Sequence, residues 1–282
     1  MKHAIAKADV LLEALPYLRA FSGKTFVIKF GGSLQEQPGG EESFIQDVLF
    51  LRTAGINPVV VHGGGKEISQ AQKKLGIETR FVHGLRVTDA KTMRVAARVL
   101  GKVNSRMVGR LRKMGAGAAG FSGLRGAVLR ARKLKVPGGD LGHVGTPAGF
   151  FPAPLRMAQH EGKIPILSSV AVGSNGELYN VNADDAAGAL AARLKASKLV
   201  LMTDVPGIQD RRGRLISSLK AANAKKLVRT GVISRGMIPK VRACLRALAR
   251  GVGKAHIVDG RHRHSLLLEI FTTKGVGTEI VR

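Results

Sequence analysis

The chain has no tryptophan, a single cysteine, Cys244, and few aromatic residues, 4% in all. A lone thiol excludes an intramolecular disulfide, and with no Cys/His cluster at zinc spacing no metal site is expected. So few aromatic rings speak against a nucleic-acid module that stacks bases, and no recognition motif for nucleic acid is present. There is no apolar amino-terminal core of a secretory signal and no run approaching about 20 apolar residues, so no membrane association is expected and the reading is cytoplasmic.

Acidic residues are also scarce: 19 Asp and Glu stand against 46 Lys and Arg, a formal charge of +27. Residues 90–139 hold thirteen basic residues and no acid, and 211–258 are likewise free of acid. Such a field attracts polyanions and anionic substrates. The excess is not confined to one stripe, which favours a generally solvated cationic surface over a dedicated acidic partner.

What is present suits an enzyme-sized α/β protein. In 282 residues, 44% of them apolar, 36 glycines outnumber 10 prolines, the pattern of many tight strand-to-helix turns around one large core or two lobes of one fold. The organising stretch is Phe26-Val-Ile-Lys-Phe-Gly-Gly-Ser33. An apolar run around one lysine predicts a buried strand that delivers a cation to its end, and the adjacent glycines let backbone amides approach a ligand. Alone, such a turn is common. A second unit, Pro58-Val-Val-Val-His-Gly-Gly-Gly65, followed by a helix over 67–75, changes the weighting. Two strand–glycine–helix units in succession predict a doubly wound, mainly parallel sheet with both glycine turns on its carboxyl edge.

Elsewhere, 4–21 carry apolar residues at helical spacing (Ala8, Leu11, Leu12, Leu15, Leu18, Phe21), with Pro16 predicted to kink or break the helix. After an extended or hairpin excursion over 80–88, Asp89 opens a long helix whose Arg94, Arg98, Lys102, Arg106 and Arg110 form a cationic row, solvated or facing an anion. A strand is expected over 128–136, a glycine-rich loop over 138–149, a strand over 164–170, an alanine-rich helix ending at Leu194 and a strand over 198–202. Pro239 is placed in the first turn of a further helix, where proline is tolerated.

Two motifs mislead. Ser22-Gly-Lys-Thr25 imitates the end of a phosphate-binding loop, but the position of its first glycine is Leu18 and a strand, not a helix, follows. Gly115-Ala-Gly-Ala-Ala-Gly120 spells the dinucleotide fingerprint but follows an arginine-rich helix instead of a strand.

Three charged residues stand at element ends where an α/β core would not otherwise want them: Lys29, Asp184 and Lys240. Phosphoryl transfer asks a protein for positioning and charge stabilisation rather than covalent chemistry. Lys29 and Lys240 could neutralise phosphate oxygens from opposite sides while Asp184 holds both ammonium groups. Singly, Asp184 reads equally as a helix cap in Asn-Ala-Asp, and Lys240 as a solvated helix position; the combination carries the inference.

These features resemble the amino acid kinase family. The resemblance spans nearly the whole chain and rests on Val27-Ile-Lys-Phe-Gly-Gly32, Val61-His-Gly-Gly-Gly65, His83-Gly-Leu-Arg-Val-Thr-Asp89, Asn180-Val-Asn-Ala-Asp184, Leu201-Met-Thr-Asp-Val-Pro-Gly-Ile208, Gly236-Met-Ile-Pro-Lys240 and Gly275-Val-Gly-Thr278. It implies a three-layer αβα sandwich, with an oligomerisation helix over 1–22, an amino-acid lobe over 23–175 and a nucleotide lobe over 176–282. It implies ATP-dependent phosphorylation of the side-chain carboxylate of N-acetyl-L-glutamate in arginine biosynthesis, with Mg2+ carried by the nucleotide. Lys29 and Lys240 would stabilise the moving phosphoryl group, organised by Asp184. Gly64, Gly65, Arg86, Asn180 and Asn182 would hold the amino-acid substrate; Gly31, Gly32, Thr203, Asp204 and Met237 would border the nucleotide. The amino-terminal helix resembles the element that interlaces dimers into a hexamer in arginine-inhibited members, which implies a hexamer and an L-arginine site beside the carboxy-terminal helix. Two departures are visible: Ser122-Gly-Leu-Arg-Gly126 replaces a common Ser-Gly-Lys-Asp-Gly, and Lys274 stands where relatives often carry an acid. The competing readings are a kinase of a carrier-linked glutamate or aminoadipate, which would use the positive surface, and a silent amino-acid sensor, which would be expected to have lost one of the three charged residues.

Overall fold

A computed structural model describes the chain except Glu36, His83, Gly138 and Arg235, and except the side chains of Lys2, His3, Ala4, Ala6, Lys7, Ala8, Val10, Leu11, Ser33 and Gln35. His83 of the hairpin motif, Gly138 at the start of the expected loop, and the Ala8 and Leu11 positions of the amino-terminal stripe therefore lie outside the described residues. The first half runs α1 (Lys2–Phe21), β1 (Thr25–Phe30), α2 (Gly32–Gln35), α3 (Gly40–Thr53), β2 (Asn57–His62), α4 (Gly65–Lys74), β3 (Phe81–Val82), β4 (Leu85–Arg86) and α5 (Ala90–Lys113). Then come β5 (Ala118–Phe121), β6 (Leu129–Lys133), β7 (Val144–Phe150), α6 (Ala153–His160), β8 (Ile164–Ser168), β9 (Val170–Val172) and β10 (Leu178–Val181). The rest is α7 (Ala183–Leu194), β11 (Lys198–Thr203), β12 (Ser218–Lys220), α8 (Ala221–Arg229), α9 (Met237–Ala249), β13 (Lys254–Asp259), α10 (Ser265–Phe271) and β14 (Thr278–Val281).

Continuous apolar runs become central parallel strands because both faces of such strands are covered. The main sheet has the order β12-β14-β13-β11-β1-β2-β8-β5, with β13 and β14 antiparallel and the strands from β13 to β5 parallel. Successive side chains point to opposite faces. Val27, Val59, Val61, Leu199 and Leu201 pack with Ala187 and Leu190 of α7 and Val241 and Cys244 of α9 on one side. Phe26, Ile28, Phe30, Val60 and Val200 pack with α3, α5 and α10 on the other. The result is the three-layer sandwich with a mainly parallel sheet. A small closed sheet, β10-β7-β6-β9, flanks it.

Several expectations change. The segment expected as a glycine-rich loop over 138–149 contains β7, paired with β6 and β10. Its glycine is a packing device: a Cβ on Gly145 would lie 2.7 Å from Tyr179 Cβ, so a larger residue would push β7 and β10 apart. The strand expected over 164–170 is two, β8 in the main sheet and β9 in the small one, with Ser169 at the crossing. α1 is not broken at Pro16. Pro16 lacks the N–H that would bond the Leu12 carbonyl, and Leu12 is 64% exposed, so water can replace that bond. The expected cationic row divides: Arg106 and Arg110 reach the buried carboxylate of Glu41 at 2.8 and 3.2 Å, while Arg94, Arg98 and Lys102 are exposed. β12 and α8 were not foreseen. Among the described residues no helix is long and apolar enough to cross a membrane.

Candidate active site

Lys29 has the same strand parity as Val27, so its side chain leaves β1 on the α7 side of the sheet. There it meets the first turn of α7. The cap of that helix is Asn182, whose Oδ1 accepts from Asp184 N at 2.8 Å and Asp185 N at 3.2 Å. The capping role weighed for Asp184 thus falls to Asn182, and the Asp184 carboxylate is left for the cleft. It is 4% exposed. Lys29 Nζ stands 3.0 Å from Asp184 Oδ1, and Lys240 Nζ, from the first turn of α9, donates to Oδ2 at 2.9 Å.

The electrostatics follow from this geometry. Burial alone would raise the Asp184 carboxyl, but the two ammonium groups outweigh it and hold the group down at about 2. Burial also lowers Lys29 from the usual lysine value, with the Asp184 charge opposing that shift and Lys240 adding to it. The pair is a fixed array of positive charge with one anion at its centre.

The two glycine turns abut. Phe30 of β1 pairs with His62 of β2, so the turns that follow emerge side by side. A Cβ on Gly32 would sit 3.2 Å from Gly65 N. Gly64 caps α4 and Gly32 opens α2, so helix amides that lack intrahelical partners converge at one place.

A cavity of about 280 Å³ lies above them, lined by Lys29, Gly32, Gly64, Gly65, Arg86, Asn180, Asn182, Asp184 and Lys240. Gly31 is buried behind this wall and does not line it. Arg86 is itself buried, and its Nη2 donates to Gly65 O at 2.6 Å and Ser69 Oγ at 2.7 Å while Nη1 donates to Gln72. These three partners are uncharged, and the guanidinium lies 4.9 Å from the Phe81 ring centroid. Asn180 Nδ2 donates to Thr88 Oγ1 at 3.3 Å.

A second cavity, of about 470 Å³, is lined by Thr203, Asp204, Met237 and Lys240 together with Gly207, Ile208, Asp210, Ile233 and Ser234. Gly32 lines the first cavity. Lys240 borders both. Sequence reasoning missed Ser169, Phe81 and Leu85 in the first cavity. The interruption of the apolar run at Ser168-Ser169 was a readable signal for the first of these. Among the described residues no group of three or more His, Cys, Asp or Glu is placed to hold a metal ion.

A doubly wound sheet that gathers two ammonium groups, one carboxylate and helix amino termini at its carboxyl edge is suited to stabilising a multiply charged group in motion, and this defines a phosphotransferase of the α/β class. Residues 24–259 match the amino acid kinase family. The acetylglutamate kinase of Geotalea uraniireducens is 49% identical over 291 residues, covering all of both chains. An N-acetylglutamate synthase from Neisseria gonorrhoeae, solved with coenzyme A and N-acetyl-glutamate, matches with a TM-score of 0.89 and 28% identity over 98% of this chain. The match spans 63% of the synthase chain. A structure of the same synthase with coenzyme A and L-arginine matches with a TM-score of 0.87 and 28% identity, over 97% of this chain and 65% of that one. The chain belongs to the amino acid kinase family.

Proposed function

We propose that this chain is an ATP-dependent kinase that phosphorylates the side-chain carboxylate of N-acetyl-L-glutamate to N-acetyl-L-glutamyl 5-phosphate, a step of arginine biosynthesis. The full-length relative named acetylglutamate kinase supports the substrate. The observation that carries the mechanism is the position of Lys240, which borders both cavities and shares the Asp184 carboxylate with Lys29.

In this reading the acceptor occupies the smaller cavity and ATP the larger. The buried Arg86 guanidinium, whose partners are uncharged, keeps its positive charge available to the substrate α-carboxylate. Asn180 and the remaining amide donors of Asn182 face the rest of the amino-acid portion. The side-chain carboxylate attacks the γ-phosphoryl group, and Lys29 and Lys240 take up charge on its oxygens from two sides. Asp184 holds both ammonium groups so that little reorganisation accompanies transfer. The amides at Gly32, Gly64 and Gly65 add dipoles aimed at the same oxygens. Magnesium, when bound, would neutralise phosphate charge; among the described residues no carboxylate cluster is placed to hold it, so it would enter with ATP.

The division into a helix over 1–22, an acceptor lobe over 23–175 and a nucleotide lobe over 176–282 is part of the same proposal, as are a cytoplasmic location, a hexamer built as a trimer of dimers, and feedback by L-arginine beside α1 and α10. Support for the effector is the synthase of the same fold solved with L-arginine. The deciding experiment is ATP consumption by the purified chain with free N-acetylglutamate, glutamate and aspartate in parallel. Turnover with the acetylated substrate alone is expected. Turnover with none would favour the silent sensor or the carrier-linked substrate.

A further inference from the structure

His62 closes β2 and is fully buried, directly before the three glycines that line the acceptor cavity. Its Nδ1 is 2.9 Å from the carbonyl oxygen of Gly63, which can only accept, so Nδ1 carries the proton. Nε2 is then the acceptor, and Asn104 Nδ2 stands 3.1 Å from it. The same Asn104 amide nitrogen donates its other hydrogen to Ile166 O at 2.9 Å, which fixes its orientation. The ring therefore has one tautomer and both of its nitrogens are partnered. Burial lowers its pKa to about 4, so it stays neutral throughout the physiological range.

In a trans peptide the carbonyl and the following N–H point in opposite directions. Turning the Gly63 carbonyl toward the His62 ring, on the α5 side, turns the Gly64 N–H away from it. One helical turn from Asn104, Leu100 presses on the same segment: a Cβ on Gly64 would lie 2.7 Å from Leu100 Cδ2. Gly120 is explained as well. This last glycine of the misleading dinucleotide motif leaves room for the Asn104 side chain, whose Oδ1 occupies the place a Cβ would need.

We infer that His62, oriented by Asn104, is a positioning residue for phosphoryl transfer: its Nδ1–H holds the Gly63 peptide so that the Gly64 amide is aimed into the cavity at the charge that develops during transfer. The inference rests on the kinase reading above. It is distinguishable from that reading because wild-type turnover tests the reaction and the ratios among variants test His62.

The side-chain amide of Asn can place a donor near the position of Nδ1, while that of Gln places one near Nε2. His62→Asn therefore keeps a donor for Gly63, His62→Gln loses it, and His62→Leu loses both polar atoms. The expected result is kcat within about threefold of wild type for His62→Asn, and roughly 10- to 100-fold lower for His62→Gln and His62→Leu, with KM for both substrates within about twofold. Unfolding temperatures separate packing from aim: His62→Asn and His62→Leu both disturb the buried site, yet only the second should lose rate. Asn104→Ala leaves the tautomer, which the Gly63 carbonyl selects, and removes the contact at Nε2 that orients the ring, so it should also lower kcat without moving KM, and it serves where His62→Leu does not fold. Equal loss of kcat in His62→Asn and His62→Gln, or normal kcat in Asn104→Ala, would overturn the assignment.

Discussion

Asp184 Oδ1 stands 3.0 Å from Lys29 Nζ, across the gap between the first turn of α7 and the end of β1. With Lys240 on Oδ2 each carboxylate oxygen faces one cation, and the group serves to fix them in place. A general base would need a pKa near the working pH, and this group is held far below it. Asp184 is therefore an organiser of charge, and the attacking carboxylate needs no proton removed.

Replacing Lys29 or Lys240 by Met tests that arrangement. Each variant leaves Asp184 with one remaining ammonium partner, so the protein is expected to fold by circular dichroism. Turnover should fall by roughly two to four orders of magnitude, the scale of a charge stabiliser lost at the transition state. Near-normal turnover in a folded variant would remove the lysines from the mechanism.

The central strands and the charged centre were legible because each is encoded locally: apolar runs of five or six residues, a single lysine within one of them, glycines at the exits. The layered sheet follows from such runs. β7 was not legible, because its sequence, Val-Gly-Thr-Pro-Ala-Gly-Phe, carries loop residues whose use depends on Tyr179 in a strand further along the chain. The capping of α7 by Asn182 was hidden for a different reason. Asn182 and Asp184 are both good capping residues, and only the backbone geometry decides between them. The His62–Asn104 contact joins positions 42 apart with no motif linking them, so nothing in the chain announces it.

Arg86→Lys should separate binding from chemistry. A lysine cannot hold the bonds to Gln72, Gly65 and Ser69 together, so its charge would not be set in the same direction. KM for N-acetylglutamate should rise while KM for ATP stays nearly constant. An equal rise in both would mean that Arg86 supports the hairpin rather than the substrate.

A pH effect on stability is expected at Asp47, away from the cleft. Its buried carboxyl, 2.6 Å from His264 Nδ1, is raised to about 6 by burial, with His264 opposing. Because the folded value lies above the unfolded one, its contribution to stability is full below the unfolded value of 3.8 and is lost as pH rises through about 6. Asp47→Asn removes the ionisation. The variant should match wild type most closely near pH 4, as judged by thermal unfolding, and gain on it at about pH 8, by a difference on the order of 2–3 kcal/mol. A difference independent of pH would show that Asp47 does not titrate in this window.

Assembly is the last test, and the structure reshapes how it must be done. The second half of α1 belongs to the chain's own core: Ala14, Tyr17, Leu18 and Phe21 pack on the cluster that includes α10, and Phe21 meets Phe26 edge to face at 5.2 Å. Removing all of α1 would uncover that core and confuse assembly with stability. The first half is different. Ile5 is 53% and Leu12 64% exposed. Burying such side chains against a second copy is worth roughly 1.5–3 kcal/mol each, enough to drive an interlacing contact. The informative comparison is therefore full-length protein against a chain beginning at Glu13, which keeps the packed half. Light scattering should give a hexamer for the first and a dimer for the second, both with similar unfolding temperatures. If both give one mass, the exposed half of α1 joins no dimers, and feedback by L-arginine at the α1–α10 junction loses the assembly it was inferred from.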